Sequence, residues 1–360
     1  MKVLLAGGGS AGHVSPLLAL ADRLVADDPA TEVLAIGTTT GLEARLVPAR
    51  GYAFHPIPKV PLPRRPSAGA LQLPGDLRAA VAAAAGAIRS IDADVVVGFG
   101  GYVAAPAYLA ARRLRVPIVV HEQNSRPGFA NRLGARLTQW VAVSFPGTPL
   151  RGAVRTGLPL RPEITSLDRA ALRPSARRSF GLGPDRRTLL VFGGSLGAQH
   201  LNEVVPLVAA DLAARDVQVL HVCGAGKSVD LASRPAGGSP YVVQEYVDRM
   251  ELAYASADVV LGRAGANTVS EITALGLPAV FVPLPVGNGE QRLNAEPVVA
   301  AGGGLIVDDA EFGPAWLRAH LVPLVADPAR CARMGAAASG FGRLDADQRL
   351  ATMVRNAAGR

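Results

Sequence analysis

The chain has 360 residues, 49% of them hydrophobic and 18% charged, a length that favours two domains and a composition that excludes intrinsic disorder. Its formal net charge is +8, and the whole excess of positive charge lies in residues 1–160. These residues are therefore expected to bind an anionic partner. The two cysteines, Cys223 and Cys331, stand alone, which argues against a disulfide framework or a cysteine-rich zinc site.

The first half alternates between short apolar runs and helical patterns. Strands are predicted over residues 2–6, 32–37, 94–97 and 116–120, and helices over residues 16–26, 79–90 and 104–113. A continuous apolar run of this length is typical of a strand buried on both faces of a sheet. The rhythm of strand and helix is the signature of parallel βαβ units.

The same rhythm restarts after a turn-rich segment at residues 158–174. Further strands are predicted over residues 188–192, 217–222, 259–261 and 279–282, and helices over residues 201–215, 267–274 and 345–358. The predicted fold class is therefore α/β, with two Rossmann-like, doubly wound domains in tandem.

Three glycine-rich turns follow predicted strands, at residues 7–12, 98–102 and 193–197. Glycine lets the backbone approach a ligand, and the helix that follows offers N–H groups and a positive dipole end to phosphate. The first turn also matches G-x-G-x-x-G, a dinucleotide-binding pattern, but no acidic residue placed to hold a ribose is evident near residues 38–40. The alternative without a ligand is that these glycines only allow close packing of strands and helices.

Seven longer strings of residues carry a specific resemblance. In chain order they are GGGSAGHVSP, GFGGYVAAPA, HEQNSRPGFANR, GGSLGAQHLN, DRMELAYASADVV, RAGANTVSEI and GLPAVFVPLPVGNGEQRLNA. Together they resemble the motifs of glycosyltransferase family 28, in its actinobacterial, MurG-type branch, over essentially the whole chain. The resemblance implies the GT-B fold, in which two Rossmann-like domains face each other across a cleft.

The resemblance also implies a division of labour. Residues 1–160 would form an acceptor- and membrane-binding domain, with a C-terminal helix at about residues 341–360 packing back on it. Residues 161–340 would form the UDP-sugar donor domain. The implied reaction is inverting transfer of N-acetylglucosamine (GlcNAc) from UDP-GlcNAc to the C4 hydroxyl of the muramoyl pentapeptide in lipid I, giving lipid II for peptidoglycan synthesis.

Two alternatives stay open at this point. One is a related transferase of a natural-product or resistance pathway with another lipid-linked acceptor or donor sugar. The other is a paralogue that binds a sugar nucleotide without turnover. Leu196 and Asn267 depart from the family pattern on the donor side, and they leave the choice of donor sugar open.

Residues of the first half are implied to act on the acceptor, whose hydroxyl must lose a proton as UDP leaves. The resemblance makes His13 the base and Glu122 a second candidate. His13 could instead bind phosphate or shape its loop, and Glu122 could hold a turn. The other implied acceptor-binding residues are Ser10, Ala11, Gly12, Gly101, Tyr102, Asn124 and Asn131, of which the asparagines are equally plausible as turn formers.

The implied donor-binding residues come from the second half. Ser195, with the backbone of residues 193–197, would hold the diphosphate, and Glu271 would accept hydrogen bonds from the ribose hydroxyls, unless it is an ordinary exposed glutamate. The others are Arg161, Val247, Ala266, Thr268, Glu290, Gln291 and Asn294. No cofactor and no metal is implied, since the DxD-like pairs at residues 92–94 and 345–347 stand before a strand and in a polar helix.

A basic segment of the first half is expected to touch the membrane. Lys59, Arg64, Arg65 and Arg78 stand among leucines, which suits an anionic lipid surface at about 1 kcal/mol per cation. A solvated loop in a generally basic protein is the alternative, and nucleic acid is not an expected partner. The longest uncharged stretch, residues 95–111, is broken by glycines and a proline, and the N-terminal apolar run is too short for a signal peptide. The expected location is the cytoplasm, peripheral on the inner face of the cell membrane.

Overall fold

A computed structural model describes residues 1–60, 73–194, 197–231 and 238–359. The chain divides into two compact units, Met1–Arg161 with Leu344–Arg360, and Pro162–Arg343. Each unit is built on one all-parallel sheet, which confirms the predicted α/β class with two Rossmann-like, doubly wound domains.

The sheet of the first unit has seven strands. They are β1 Lys2–Ala6, β2 Glu32–Gly37, β3 Ala53–Pro56, β4 Val95–Gly98, β5 Ile118–Glu122, β6 Trp140–Val143 and β7 Ala153–Arg155. Their order is β3-β2-β1-β4-β5-β6-β7. The chain runs outward from β1 to β3 and then returns to the other side of β1. The carboxyl ends of β1 and β4 therefore flank the switch point, where doubly wound sheets bind their ligands.

Helices cover both faces of this sheet. They are α1 Ala11–Asp27, α2 Glu43–Ala49, α3 Leu73–Ser90, α4 Ala104–Leu114 and α5 Phe129–Gly134. Successive strand residues face opposite sides, so Leu4 of β1 packs with α3 and α4, whereas Leu5 packs with Leu17 and Leu20 of α1. Burial on both faces explains why central strands such as β1 and β4 read as continuous apolar runs.

The sheet of the second unit has six strands. They are β8 Arg187–Phe192, β9 Val217–Val222, β10 Tyr241–Gln244, β11 Val259–Gly262, β12 Ala279–Phe281 and β13 Gly304–Ile306. Their order is β10-β9-β8-β11-β12-β13, with every neighbouring pair parallel. The switch point lies between β8 and β11, so residues after Phe192 and Gly262 share one edge of the sheet.

The helices of the second unit are more broken than the sequence predicts. They are α6 Pro162–Thr165, α7 Arg169–Ser179, α8 Gln199–Val204, α9 Ala209–Ala213, α10 Met250–Ser256, α11 Ala266–Ala274, α12 Glu290–Ala300, α13 Pro314–Trp316, α14 Val322–Ala326 and α15 Pro328–Phe341. The single helix predicted over residues 201–215 is wrong. A 3-10 turn at Val205–Val208 separates α8 from α9, because Pro206 has no N–H for the α-helical ladder.

The last helix, α16 at Ala346–Ala357, belongs to the first unit although it follows the second in sequence. Leu350, Ala351 and Val354 of α16 are fully buried in the cluster that also contains α1. Arg355 adds a hydrogen bond of 2.7 Å to Asp27 at the end of α1. Within the described ranges, no helix combines the length and the apolar character that crossing a bilayer would require.

Candidate active site

The first glycine turn leads from β1 directly into α1. Ser10, with extended backbone angles, is the N-cap, and the helix begins at Ala11 rather than at the predicted residue 16. Ala11, Gly12 and His13 therefore form the first helical turn, whose leading N–H groups have no partner within the helix. This places amide donors and a positive dipole end at the carboxyl edge of the first sheet.

His13 is held at the start of α1. Its Nδ1 lies 2.8 Å from Ser10 Oγ. Burial lowers the pKa of His13 to about 4, although the Glu43 carboxylate raises it, so the imidazole is neutral at neutral pH. When Nδ1–H donates to Ser10, the lone pair is on Nε2, the form that a general base needs.

The second glycine turn packs against the first. Gly100 and Gly101 have φ angles of +90° and +77°, which favour glycine. A side chain at Gly100 would lie 3.1 Å from His13 Nε2 and 3.3 Å from Asn131 Nδ2. One at Gly101 would lie 2.5 Å from the Gly8 carbonyl oxygen. The structure therefore brings His13, Gly101 and Asn131 to one place.

Glu122 and Asn131 form a buried hydrogen-bonded pair behind this turn. Glu122 Oε1 accepts from Asn124 N, and Oε2 accepts from Gly128 N and Asn131 Nδ2, each at 3.0 Å. Asn131 also accepts from the Tyr108 hydroxyl at 2.8 Å. Burial raises the pKa of the Glu122 carboxyl, against these hydrogen bonds. Both oxygens are engaged, so the geometry of Glu122 fits the holding of the turn, and His13 remains the base candidate.

Tyr102, the last residue of the second glycine turn, is exposed. Lys59 Nζ lies 5.2 Å from the centre of its ring, within the range of a cation–π interaction. One predicted membrane cation is thereby placed beside the glycine turns. Arg78 is exposed in α3, whereas Arg64 and Arg65 fall outside the described residues.

Sequence reasoning missed one buried acid in this region, Glu43. It is fully buried, and it accepts from Gly9 N at 2.9 Å and from Thr38 N and Oγ1 at 2.8 and 2.9 Å. Glu43 stands a few residues after positions 38–40, where an acid able to reach a ribose would be expected, and its carboxylate contacts the first glycine turn instead. The signal available was the glycines at positions 37 and 41, which make room for its carboxyl group.

In the second unit, the third glycine turn is only partly described, because Ser195 and Leu196 lie outside the described residues. Gly197, with φ at +66°, packs against the Cys223 carbonyl oxygen. Asn202 Nδ2 donates to the same oxygen at 3.0 Å, which ties α8 to the end of β9. The turn thus lies at the carboxyl edge of the second sheet.

Glu271 lies on α11, the helix that begins at Ala266 just after β11. Its Oε2 accepts a hydrogen bond of 2.7 Å from the Tyr254 hydroxyl of α10. Thr268 lies half-buried in the first turn of the same helix. Val247 is buried and Arg161 is half-buried at the end of the first unit.

The three predicted sugar-reading residues differ in accessibility. Gln291 Oε1 accepts from Ala264 N and Leu284 N at 3.1 and 3.0 Å. Asn294 is fully buried and donates to the Ala264 carbonyl oxygen at 3.3 Å. Asn294 therefore contacts the turn before α11, and its contact with the donor sugar stays a prediction. Glu290 lies half-buried at the start of α12.

Among the residues with described positions, no three His, Cys, Asp or Glu side chains converge as a metal site would require.

Comparison with known proteins decides the family. Residues 3–143 match the glycosyltransferase family 28 N-terminal domain, and residues 188–350 match the glycosyltransferase family 28 C-terminal domain. The chain belongs to glycosyltransferase family 28. This confirms the resemblance read from the motifs, and as a family 28 member the chain is a glycosyltransferase that uses a UDP-sugar.

Curated relatives of this family 28 chain match it along its whole length. It is 56% identical over 357 residues to the UDP-N-acetylglucosamine--N-acetylmuramyl-(pentapeptide) pyrophosphoryl-undecaprenol N-acetylglucosamine transferase of Streptomyces avermitilis, covering 99% of this chain and 98% of that one. It is 57% identical to the protein of the same name from a Nocardioides species, covering 98% and 97%.

Solved structures give the same picture of the fold. MurG of Acinetobacter baumannii superposes with a TM-score of 0.79 at 29% identity over 99% of each chain. A UDP-GlcNAc 2-epimerase from Neisseria meningitidis, bound to UDP-GlcNAc, superposes with a TM-score of 0.70 over 99% of this chain and 100% of that one. Its identity of 14% shows a shared fold alone.

Proposed function

We propose that this family 28 chain transfers GlcNAc from UDP-GlcNAc, with inversion, to the C4 hydroxyl of the muramoyl pentapeptide on undecaprenyl diphosphate, forming lipid II. The observation that carries the proposal is the position of a neutral imidazole, His13, in the first turn of α1 beside two packed glycine turns. The names of relatives at 56% and 57% identity supply the two substrates.

In the first unit, His13 acts as the base. The acceptor hydroxyl gives its proton to Nε2 as its oxygen bonds to the anomeric carbon, and the bond from that carbon to UDP breaks. The N–H groups at Ala11 and Gly12 hold the acceptor diphosphate through the dipole end of α1. Ser10 orients the imidazole, and Gly101, Tyr102 and Asn124 border the acceptor. Glu122 and Asn131 hold the surrounding turn.

In the second unit, UDP-GlcNAc is the donor. Glu271 accepts hydrogen bonds from the ribose hydroxyls, while Ser195 with its glycine turn and the start of α11 at Ala266 and Thr268 hold the diphosphate. Arg161 and Val247 border the nucleotide, and Glu290 and Gln291 border the sugar. Amide donors and helix dipoles stabilise the charge on departing UDP, so no cofactor or metal is part of the proposal.

The experiment is a turnover assay with UDP-GlcNAc labelled in its sugar and a short-chain analogue of lipid I. The proposal expects a labelled disaccharide product and one UDP released per sugar transferred. A different acceptor that alone stimulates UDP release would place the chain in another pathway. Tight binding of UDP-GlcNAc without product from any acceptor would refute an enzymatic role.

Membrane contact on the inner leaflet is part of the same proposal, because the acceptor carries a lipid. Lys59, which lies beside Tyr102 of the second glycine turn, and Arg78, which is exposed near the start of α3, support it. Other cations lie at the opposite edge of the sheet, before β5 to β7. They are Arg112, Arg113 and Arg115, and the residues Arg132, Arg136 and Arg151 that line a cavity of about 710 Å³.

Co-sedimentation with phosphatidylglycerol vesicles distinguishes these two basic surfaces. A Lys59→Glu/Arg78→Glu double variant is expected to weaken binding about tenfold or more, since each cation near the surface is worth about 1 kcal/mol. The matched control is Arg112→Glu/Arg115→Glu, with the same charge change and wild-type affinity expected. The reverse result would place the membrane at the other edge of the sheet.

A further inference from the structure

Glu43 is a buried carboxylate that forms no ion pair with any residue of the described part of the chain. Its side chain is fully buried at the first position of α2, and none of the ion pairs among the described residues includes it. A buried charge normally requires a counter-ion or several hydrogen bonds. Here hydrogen bonds supply the compensation: burial would raise the pKa of Glu43, but bonds from Thr38, from Gly9 and from its own N–H hold the pKa below its usual value.

The hydrogen bonds of Glu43 divide between two segments of the unit. Oε2 accepts from Gly9 N at 2.9 Å, and Oε1 accepts from Thr38 N and Thr38 Oγ1 at 2.8 and 2.9 Å. Three donors from other residues therefore converge on two oxygens. A glutamine would present only one acceptor oxygen and would turn an NH₂ group toward another donor.

Three glycines enclose this carboxyl group. A side chain at Gly8, Gly37 or Gly41 would collide with the carboxyl end of Glu43. The carbonyl of Gly8 in turn leaves no room for a side chain at Gly101, where it would lie 2.5 Å from that oxygen. Glu43 thus packs against the first glycine turn, and the first glycine turn packs against the second.

The bond from Gly9 has a consequence for ligand binding. The N–H of Gly9 points to Glu43, at a residue with φ at +88°, so this amide is not directed at an incoming phosphate. The following peptides, which open α1, are the ones whose N–H groups have no helical partner. The orientation of Gly9 therefore sets the direction in which those groups point.

We propose that Glu43 is a positioning residue for the acceptor diphosphate: by holding Gly9 N–H, it fixes the turn through which α1 presents its first amides. The inference rests on the proposed function, because it takes the acceptor diphosphate as the ligand of that turn. Glu43 touches neither substrate, and its effect passes through the backbone of Gly9 and Ser10.

The test is a pair of measurements on Glu43→Gln in the full chain. In the transfer assay, KM for the lipid I analogue is expected to rise about tenfold, the equivalent of about 1.4 kcal/mol, while KM for UDP-GlcNAc stays within about twofold. In hydrogen–deuterium exchange, the peptide covering residues 6–14 is expected to exchange about tenfold faster. Glu32→Gln is the matched control, since Glu32 is exposed at the start of β2, and wild-type values are expected from it.

A merely structural role would lower Tm and the amount of active enzyme without raising KM for the acceptor alone. A folded Glu43→Gln variant with wild-type acceptor KM, or with both KM values raised equally, would overturn the proposal. If Glu43→Gln does not fold, Thr38→Val serves as the second variant, because it removes one of the three donors. A smaller rise in acceptor KM is expected from Thr38→Val, and no rise would again overturn the proposal.

If the wild-type chain makes no lipid-linked disaccharide, it is the proposed function that has failed. Unchanged exchange in Glu43→Gln would show separately that Glu43 does not hold the turn.

Discussion

The hydroxyl of Tyr254 donates a hydrogen bond of 2.7 Å to Oε2 of Glu271. Tyr254 is buried in α10, so the position of its hydroxyl group is fixed by packing. This bond orients the proposed ribose-binding carboxylate. A hydrogen bond to a charged group contributes about 1.5 kcal/mol, so we expect Tyr254→Phe to raise KM for UDP-GlcNAc about tenfold. Initial rates at saturating acceptor measure this, with kcat expected to stay within about twofold.

Tyr246→Phe is the control for this experiment. Tyr246 is 56% exposed in the same unit, so the loss of its hydroxyl should leave KM unchanged. A wild-type KM for UDP-GlcNAc in Tyr254→Phe would show that Glu271 does not depend on this bond.

His13 is expected to be neutral well below neutral pH. Burial lowers its pKa to about 4, with the Glu43 carboxylate acting in the opposite direction. A general base works in its neutral form, so kcat/KM for the acceptor should stay level down to about pH 5 and fall only below it, instead of near the ordinary histidine pKa of about 6.5. A pH–rate profile that falls near pH 6.5 would contradict this environment for His13.

Replacement of His13 separates catalysis from donor binding. We expect His13→Ala to lower kcat by a factor of about 10² to 10⁴, the usual contribution of a general base, and to leave Kd for UDP unchanged. Calorimetry measures Kd on the same preparation. Loss of UDP affinity would show that the two units do not divide the substrates as proposed.

Two glycine substitutions are expected to act in opposite directions on stability. Gly101→Ala imposes a side chain at φ +77° and 2.5 Å from the Gly8 carbonyl oxygen, so it should lower the free energy of unfolding by about 1–3 kcal/mol and impair transfer. Gly86→Ala lies inside α3 with open space around it, and should raise the free energy of unfolding by about 0.5–1 kcal/mol. Urea titrations of both variants give these values, and a stable, active Gly101→Ala would argue against tight packing of the two turns.

Two buried histidines should make stability depend on pH. Burial lowers the pKa of His121 and of His221 to about 4, whereas an unfolded histidine has a pKa of about 6.5. Between these values the unfolded chain binds protons that the folded chain does not, so the free energy of unfolding should fall as pH drops from about 6.5 toward about 4, by up to about 3 kcal/mol per histidine.

Urea titrations of the wild type at several pH values across this window measure the slope. His221→Gln removes one of the histidines that titrate in this window, and its free energy of unfolding should depend less steeply on pH than that of the wild type. An equal slope in both proteins would mean that His221 has the same pKa in the folded and the unfolded chain, against the effect of burial.

Local sequence pattern was sufficient for the elements that are buried on both faces. The strands predicted over residues 2–6, 32–37 and 217–222 have those same bounds in the structure. Such strands can be recognised because most of their residues are apolar, a property that can be read without knowing the partner strand. Together with the glycine turns and the family motifs, this determined the two-domain fold and the reaction class.

Only the tertiary structure decided which polar groups meet. Glu43 and Gly9 are 34 positions apart, and the hydrogen bond between them exists because β1 and β2 lie side by side. The same holds for the burial of Asn294 and for the hydrogen bond that Asn131 of α5 donates to Glu122. The sequence gives the chemistry of each side chain. Its solvation and its hydrogen-bond partners depend on neighbours that folding brings together. These neighbours determine whether the side chain contacts a substrate or supports the backbone that contacts it.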